Sequence, residues 1–304
     1  MMEIHGKEER KETERTENYG IWIGNVFVER ISRQYEYSMV QRHFHSEYEI
    51  YYLIKGDRYY FIDQKIYAVP SGTLVFVDKG QIHKTSMGRE PAHERILIQL
   101  KDDRISGLLE GTEEGNLDGF FGRNSGALTL DGENRKYVES ILRRIEEEVR
   151  EKRYRAEGMV QILVAELLLC ASRILRKKEG KPVPEGAKPA RHSKVQEVAG
   201  YITAHIQEPM SLESLAEKFF VSKYYLCRIF KEITGFTVNE FINVSRVKYA
   251  AALLEHEKWS ITAVADAAGY DSITYFERMF KRYLNLTPGQ YRKREKADAD
   301  FTPL

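Results

Sequence analysis

A repeat with a period of 50 positions in the last hundred residues constrains the fold more than any other feature of the chain. Aligning Phe230 with Phe280 places FKEITGFTVNEF over FKRYLNLTPGQY. Gly235 then falls opposite Asn285, and these are the two residue types that most readily adopt the left-handed conformation that ends a helix. The upstream residues that coincide are Ser222 with Ser272, Tyr225 with Tyr275, and Arg228 with Arg278. One supersecondary unit is therefore used twice.

Each copy of this unit predicts a helix-turn-helix. In the first copy, Ser211 is placed to cap SLESLAEKF and Ser222 is placed to cap SKYYLCRIFKEIT. In the second copy, SITAVADAA ends at Gly269, which can supply a turn with positive φ, and Ser272 is placed to cap SITYFERMFKRYL. Two helices joined by a tight turn present the N-terminal end of the second helix to the major groove of DNA. The repeat therefore predicts a DNA-binding domain.

The residues outside the apolar face of each second helix are the candidate DNA contacts. The pattern assigns to the apolar faces Tyr225, Leu226, Ile229, Phe230, Tyr275, Phe276, Met279 and Phe280. The predicted base readers are Lys223, Tyr224, Cys227, Arg228, Ile273, Thr274, Glu277 and Arg278. Arginine can form two hydrogen bonds with guanine, glutamate can accept from cytosine, and isoleucine or threonine can contact the thymine methyl group. Lys231, Lys281 and Arg282 lie further along and are predicted to contact phosphate.

The charge distribution agrees with this assignment. Residues 191–294 contain 15 lysines and arginines against 11 aspartates and glutamates, a net charge of +4. Residues 1–190 contain 31 against 32, a net charge of −1. The basic excess therefore lies in the C-terminal third, as expected of a domain that contacts phosphate.

The first hundred residues predict short strands separated by turns. EIYYLI and RYYFID flank Lys55-Gly56-Asp57, which is a hairpin signal, and IYAV, TLVFVD and HERILIQL follow. Many short strands at regular spacing indicate an antiparallel sandwich or barrel. From about Glu133 to Lys178 the apolar residues instead follow a helical period, in two stripes. These two helices could pack within the monomer or pair across a dimer, and we expect the dimer.

These patterns divide the chain into segments. We predict a disordered tail at 1–18, a sensor domain at 19–130, a helical dimerisation segment at 131–178, a proline-containing linker at 179–193, a DNA-binding domain at 194–294 and a tail at 295–304. The fold class is multidomain α+β: an N-terminal antiparallel β-barrel plus helices, and a C-terminal all-α double helix-turn-helix. Two lone cysteines, a highly charged N-terminus and an interrupted apolar run at Met159–Leu175 favour a cytoplasmic protein without a membrane span.

The segment from Ser211 to Arg292 resembles the DNA-binding domain of the arabinose-regulator (AraC/XylS) family of bacterial transcription factors. The resemblance rests on VSKYYLCRIFKEITG and on AVADAAGYDSITYFERMFKRYLNLTPGQYR, in which Asn285 stands where the family usually has glycine. It implies two units at the ends of a long linking helix, roughly Val238 to Glu257, that enter successive major-groove segments about 10 base pairs apart. Arg246 in that helix would contact the DNA backbone or form an intramolecular salt bridge. The implied partners are double-stranded promoter DNA and RNA polymerase.

Many members of this family carry an N-terminal cupin barrel that senses a small molecule. HFHSEYEIYYLIKG resembles the first cupin motif through His43, His45, Glu49 and Gly56, and GQIH places His83 at the position of a fourth ligand in a partial second motif. These residues could hold a divalent metal ion (Zn, Fe, Mn or Ni), could bind an effector directly, or could be structural. Tyr51 shares the strand face of Glu49 and is a further candidate for the effector site. The many tyrosines of this region suit a sugar, although tyrosine is also common in strand-rich cores.

The sequence thus predicts a transcriptional regulator that responds to a small-molecule effector, acts as a homodimer and activates transcription. One alternative is a cupin metalloenzyme, such as a dioxygenase or a sugar isomerase, fused to a DNA-binding domain. Another is an architectural DNA-binding protein that needs no effector.

Overall fold

The computed structural model describes residues 18–35, 47–101, 104–178, 189–256 and 259–293. Its N-terminal part is a pair of β-sheets with covering helices, and its C-terminal part is helical. The strands are β1 Tyr19–Ile23, β2 Val26–Arg33, β3 Tyr48–Lys55, β4 Asp57–Ile62, β5 Lys65–Pro70, β6 Thr73–Val77, β7 His83–Met87, β8 His93–Leu100 and β9 Gly126–Thr129. The helices are α1 Arg104–Leu109, α2 Leu117–Asn124, α3 Gly132–Glu151, α4 Ala156–Lys178, α5 Ala190–Ala204, α6 Leu212–Lys218, α7 Lys223–Thr234, α8 Val238–His256, α9 Ile261–Ala267 and α10 Ile273–Leu284.

The strands form a six-stranded sheet in the order β1-β2-β8-β3-β6-β9 and a three-stranded sheet in the order β5-β4-β7. Every pairing is antiparallel. The inner faces of the two sheets meet in one apolar cluster that includes Leu53 and Val75 from the large sheet and Ile62 and Val69 from the small sheet. The predicted antiparallel sandwich or barrel is confirmed, in the form of two packed sheets.

The predicted hairpin at Lys55-Gly56-Asp57 is wrong. β3 pairs with β6 and β8, whereas β4 pairs with β5 and β7. Gly56 has φ +91°, and a Cβ atom there would lie 2.5 Å from the carbonyl oxygen of Ala92. Only glycine fits this turn, which carries the chain from one sheet to the other instead of folding it back on itself.

The side chains of β3 alternate between two environments, as its sequence predicts. Tyr48, Ile50 and Tyr52 belong to the core between the large sheet and the helices. Tyr51 and Leu53 belong to the cluster between the two sheets. Because the two faces alternate strictly, the outer tyrosines are core residues and do not line the interior of the sensor.

Helices α3 and α4 pack on the outer face of the large sheet. Their buried apolar residues are Val138, Ile141, Leu142, Ile145, Val149, Val160, Leu163, Val164, Leu167, Leu168 and Ile174. These stripes are therefore used within one chain, and not across a dimer as we expected. Among the described residues, α4 is also the one helix long and apolar enough to cross a membrane (Ala156–Lys177), and 50% of its most apolar window is buried inside the structure. Here α4 serves as a core helix.

The C-terminal helices form the two predicted units, α6–α7 and α9–α10, joined by α8, which runs over nearly the predicted length. α5 begins at Ala190, so the last four residues of the predicted linker at 179–193 are helical. Residues 1–17 and 295–304, where tails were predicted, and residues 179–188 of the linker lie outside the described residues.

Candidate nucleic-acid interface and ligand pocket

The two recognition helices, α7 and α10, start and end alike. The Ser222 hydroxyl accepts a hydrogen bond from the Tyr225 backbone N–H at 3.2 Å, and the Ser272 hydroxyl accepts from the Tyr275 N–H at 3.3 Å. α7 ends at Gly235 with φ +81°, and α10 ends at Asn285 with φ +58°. The repeat in sequence is therefore a repeat of helix caps, because serine and glycine or asparagine are the residues that these positions favour.

An arginine lies over a tyrosine ring at the equivalent place on each recognition helix. The Arg228 guanidinium is 5.7 Å from the centroid of Tyr225, and the Arg278 guanidinium is 5.1 Å from the centroid of Tyr275. Both arginines are exposed. Tyr225 and Tyr275 are 38% and 37% exposed, which corrects their assignment to the buried face. Each ring holds its guanidinium by a cation–π contact while leaving the nitrogens free to donate.

Most of the other predicted DNA contacts are on the surface. The exposed ones are Lys223, Tyr224, Lys231, Ile273, Thr274, Glu277, Lys281 and Arg282. Cys227 is half-buried, so it is less accessible to a base edge than its neighbours. The surface formed by the N-terminal halves of α7 and α10 is thus the candidate nucleic-acid interface.

Arg246 does not belong to this interface. Its Nε donates to the Ile206 carbonyl at 3.0 Å and its Nη2 donates to the Glu208 carbonyl at 2.8 Å. The guanidinium also lies 5.7 Å from the ring centroid of Tyr270, and burial lowers its pKa. Arg246 therefore ties α8 to the segment that follows α5. The intramolecular role that we weighed against a DNA contact is the one observed, with carbonyl acceptors in place of a carboxylate.

The sequence interpretation missed a depression of about 390 Å³ between α8 and α10. It is lined by Asn239, Glu240, Asn243, Tyr275, Arg278, Met279, Arg282 and Tyr283. Two guanidiniums and two amides on one concave surface can bind a phosphate group. The signal available in the sequence was the pair of asparagines one helical turn apart on α8.

Three of the residues predicted for the ligand pocket come together between the two sheets. Glu49, Tyr51 and His83 are buried, and the His83 Nε2 lies 3.6 Å from a Glu49 carboxylate oxygen. The His83 Nδ1 lies 2.9 Å from the Gln81 carbonyl oxygen. The Tyr60 hydroxyl donates to the other Glu49 oxygen, and burial, reinforced by the Glu49 charge, raises the Tyr60 pKa. His43 and His45 lie outside the described residues.

The sequence interpretation missed two arginines close to these residues. Arg58 is 2% exposed and donates to the carbonyls of Asp57, Glu90 and Pro91 and to the Nδ1 of His93. On β8, Arg95 donates to Glu29 at 2.6 Å, and its guanidinium lies 5.8 Å from the centroid of Tyr51. The alternation in HERILIQL could have placed Arg95 on the inner face, but a charged residue at such a position normally argues against burial.

The outer face of the small sheet is covered by the DNA-binding domain. The Phe61 ring of β4 lies 5.9 Å from that of Phe241 on α8, and the Tyr59 ring lies 4.2 Å from that of His192 on α5. Ile66 and Ile82 from the sensor join the same apolar core as α5, α7 and α8. We call this contact the sensor–reader interface.

Polar contacts fix the sensor–reader interface in register. The Lys84 ammonium of β7 donates to the Glu232 carbonyl of α7 at 2.6 Å. Lys248 on α8 forms an ion pair with Asp63 at 2.7 Å. The Ile66 backbone N–H donates to the side-chain oxygen of Gln196 on α5 at 3.0 Å. The sensor therefore contacts α7 of the first helix-turn-helix unit, and also α5 and α8, the helices that precede and follow that unit.

Known proteins resemble both halves of the chain. The profile of the AraC-like ligand binding domain matches residues 25–163, and that of a helix-turn-helix domain matches residues 215–294. The HTH-type transcriptional activator RhaR of Klebsiella pneumoniae is 21% identical over 275 residues, which is 88% of this chain and 93% of that protein. The regulatory protein SoxS of Escherichia coli is 35% identical over 104 residues, which is 34% of this chain and 97% of that protein.

The regulatory protein PocR of Salmonella typhimurium is 34% identical over 101 residues, but the match spans only a third of that protein (33%). By name, RhaR is a transcriptional activator and SoxS and PocR are regulatory proteins, which argues against the metalloenzyme alternative. The helix-turn-helix match supports binding to DNA. With a ligand-binding domain, two capped recognition helices and a nearly full-length match to SoxS, the chain belongs to the AraC/XylS family of transcriptional regulators.

Proposed function

We propose that this regulator reads promoter DNA with α7 and α10 and that Arg228 and Arg278 are its principal base readers. The observation that carries the proposal is the equivalent placement of the two guanidiniums, each exposed and each over a tyrosine ring. Arginine held by an aromatic ring is preorganised to donate two parallel hydrogen bonds to guanine. The neighbouring lysines, Lys231 and Lys281, supply phosphate contacts that set the register.

Selection of bound fragments from a random DNA library by the full chain tests this proposal. We expect enriched sites with two conserved segments about 10 base pairs apart, one for each unit. The Arg228→Ala/Arg278→Ala double variant should lose the enrichment while keeping weak binding that disappears at high salt. Enrichment of the same sites by the double variant would remove both arginines from the set of base readers.

We further propose that the effector acts through the sensor–reader interface. β4 supports this because its two faces serve two purposes: Tyr60 and Ile62 lie in the core between the two sheets, whereas Tyr59 and Phe61 pack on the DNA-binding domain. A ligand that repositions β4 changes the surface on which α5 and α7 rest. Coupling then requires that the ligand bind one arrangement of this interface better than the other. Loss of the effector response in Phe61→Leu, with DNA binding intact, is the expected signature.

We also propose that the regulator is a cytoplasmic homodimer that activates transcription through contact with RNA polymerase. The surface available for dimerisation is the outer face of α3 and α4, where Tyr137, Met159 and Ile162 are 50%, 43% and 54% exposed. Met159 and Ile162 are three positions apart and so lie on the same side of α4. Light scattering of wild type and Ile162→Glu tests this surface, and we expect a dimer that becomes a monomer in the variant.

We propose that the pocket binds its effector without a resident metal ion. Of the four predicted ligands, Glu49 and His83 are described, and their 3.6 Å separation is close to the roughly 3.4 Å expected between two ligands of a tetrahedral zinc. The surroundings oppose a dication, because Arg58 and Arg95 already place positive charge in the same interior. Plasma mass spectrometry of untagged protein should give well below one metal ion per chain. One ion per chain, lost in Glu49→Gln/His83→Gln, would contradict this.

A further inference from the structure

The charges inside the sensor are not all paired with a charge of opposite sign. Arg95 is paired with Glu29, and Glu49 is occupied by the Tyr60 hydroxyl and faces His83. Arg58, by contrast, donates only to carbonyl oxygens and to an imidazole nitrogen, and among the described residues no carboxylate lies within ion-pair distance of it. A buried guanidinium without a carboxylate partner is costly for the fold.

The Arg58 guanidinium is poorly solvated. Burial lowers the pKa of Arg58; Tyr51 and Asp57 oppose this change, and the neighbouring Arg33 charge adds to it. Burial also lowers the pKa of His93 to about 4, with the Arg58 charge adding to the effect. His93 is therefore neutral at pH 7 and adds no charge of its own. An anion that enters this interior would be attracted with little screening by water.

Arg95 has a buried donor close to the Tyr51 ring. Its Nη2 is held by Glu29, but its Nη1 is buried and has no hydrogen-bond acceptor among the described residues. Most buried donors in folded proteins are satisfied, and an orphaned one marks a site where something else is expected to bind. Because Glu29 fixes the plane of the guanidinium, the direction of Nη1 is fixed as well.

The Tyr51 hydroxyl supplies a second donor. Tyr51 is 2% exposed, and its ring centroid lies 5.8 Å from the Arg95 guanidinium. Burial raises its pKa to about 12, and the charges of Arg95 and Arg58 oppose this rise, so both guanidiniums lie within electrostatic reach of the hydroxyl. At pH 7 the group is a neutral O–H that can donate.

We infer that the sensor takes an anionic effector, a small organic acid whose carboxylate or phosphate oxygens accept from the Arg95 Nη1 and the Tyr51 hydroxyl. Arg58 compensates the ligand charge, and Glu49 and His83 are placed to bind hydroxyl groups on the remainder of the molecule. A hydroxy acid or a sugar acid fits this arrangement better than the neutral sugar that the tyrosine content suggested. The inference rests on the proposed function of this domain as the effector site.

The test uses the full chain and small oxyanions that need little room. Thermal unfolding is followed as acetate or inorganic phosphate replaces chloride at constant ionic strength, so that general screening stays the same. We expect a saturable rise in Tm with at least one of the two, and which of them is more effective separates a carboxylate site from a phosphate site. Arg95→Lys and Tyr51→Phe should each weaken the apparent affinity by about tenfold. Arg143→Met, an exposed arginine on α3, is the matched control and should respond like wild type.

A response equal to that of chloride in the wild-type protein, or an equal response in wild type, Arg95→Lys and Tyr51→Phe, would overturn the inference. Arg95→Lys keeps a charge opposite Glu29 and Tyr51→Phe keeps the ring, and Tyr51→Phe decides alone if the arginine variant unfolds. Binding of each variant to the selected DNA site is measured in parallel. Lost anion response with intact DNA binding supports this pocket, whereas failure of DNA binding by the wild-type chain would count against the proposed function itself.

Discussion

The Lys84 ammonium of the sensor lies 2.6 Å from the carbonyl oxygen of Glu232 in the last turn of the first recognition helix. Lys84 is buried, and burial lowers its pKa while the Glu232 charge opposes that change. The carbonyls of a final helical turn have no partner within the helix and carry the negative end of its dipole. Lys84 thus binds the sensor to the end of α7 that is opposite to the end presented to DNA.

Replacing Lys84 with methionine should lower the free energy of unfolding by about 1 kcal/mol, because the charged hydrogen bond is lost but the side chain still fills the interface. Urea unfolding of the full chain measures this. Lys136→Met, at an exposed position of α3, is the matched control and should change stability little. Equal stability of the two variants would show that the Lys84 contact contributes nothing.

Arg278→Ala should cost about 1–3 kcal/mol of binding free energy at the selected site and relax the preference at one base pair. Lys281→Ala on the same helix should weaken binding to all sequences alike and reduce the salt slope by about one unit. Fluorescence anisotropy with specific and random duplexes at several salt concentrations separates the two effects. An equal loss on random DNA for Arg278→Ala would make it a phosphate contact instead.

Arg246→Met should lower protein stability by about 1–3 kcal/mol, because the Ile206 and Glu208 carbonyls lose their donors. The salt dependence of DNA binding should stay unchanged, since the guanidinium serves the fold and not the phosphates. Arg282→Met, at an exposed site, should leave protein stability nearly unchanged and should reduce the salt dependence of DNA binding. A reduced salt slope in Arg246→Met would return that residue to the DNA-contacting set.

Phe220→Gly should stabilise the protein by about 0.5–1 kcal/mol. Phe220, in the turn between α6 and α7, has φ +54° and its side chain is 95% exposed, so its ring contributes little packing while its Cβ strains the backbone. The corresponding turn of the second unit has Gly269 with φ +77°. Thermal unfolding gives the answer, and a fall in Tm would mean that the ring stabilises the turn in some other way.

His93 should make stability depend on pH. Burial and the Arg58 charge lower its pKa from 6.5 to about 4. Between these values the unfolded chain binds a proton that the folded chain does not. The stability that neutral His93 contributes is therefore fully present above about pH 6.5 and is lost as the pH falls towards 4. At 1.36 kcal/mol per pKa unit the effect is at most about 3 kcal/mol. Between pH 7 and pH 5 the free energy of unfolding should fall less for His93→Gln than for wild type. Equal falls would contradict the lowered pKa of His93.

The C-terminal domain was predictable because its signals are local. Serine at the N-cap and glycine or asparagine at the C′ position act within one helical turn, so Ser222, Gly235, Ser272 and Asn285 could be assigned by inspection. The inward placement of Glu49 and Tyr51 followed equally from the period of a strand.

The errors arose where partners are distant in sequence. Lys55-Gly56-Asp57 has the composition of a hairpin, but the path of the chain there is set by Ala92, more than 30 positions away. Arg58 is buried, and Arg95 is partly buried, by contacts that no local pattern encodes. The stripes of α3 and α4 were identified correctly, but periodicity shows which face is apolar and not what covers it.

The sensor–reader interface involves the first helix-turn-helix unit, whereas the core of α9 and α10 contains no sensor residue among the parts of the chain that are described. The two units are joined by α8, so one bound unit holds the other near its own half of the site at a high effective concentration. A regulator built in this way can stay bound to its promoter through the second unit while the effector sets how often the first unit binds its half of the site. The response would then appear as a change in residence time and in the length of DNA protected, with the promoter occupied throughout.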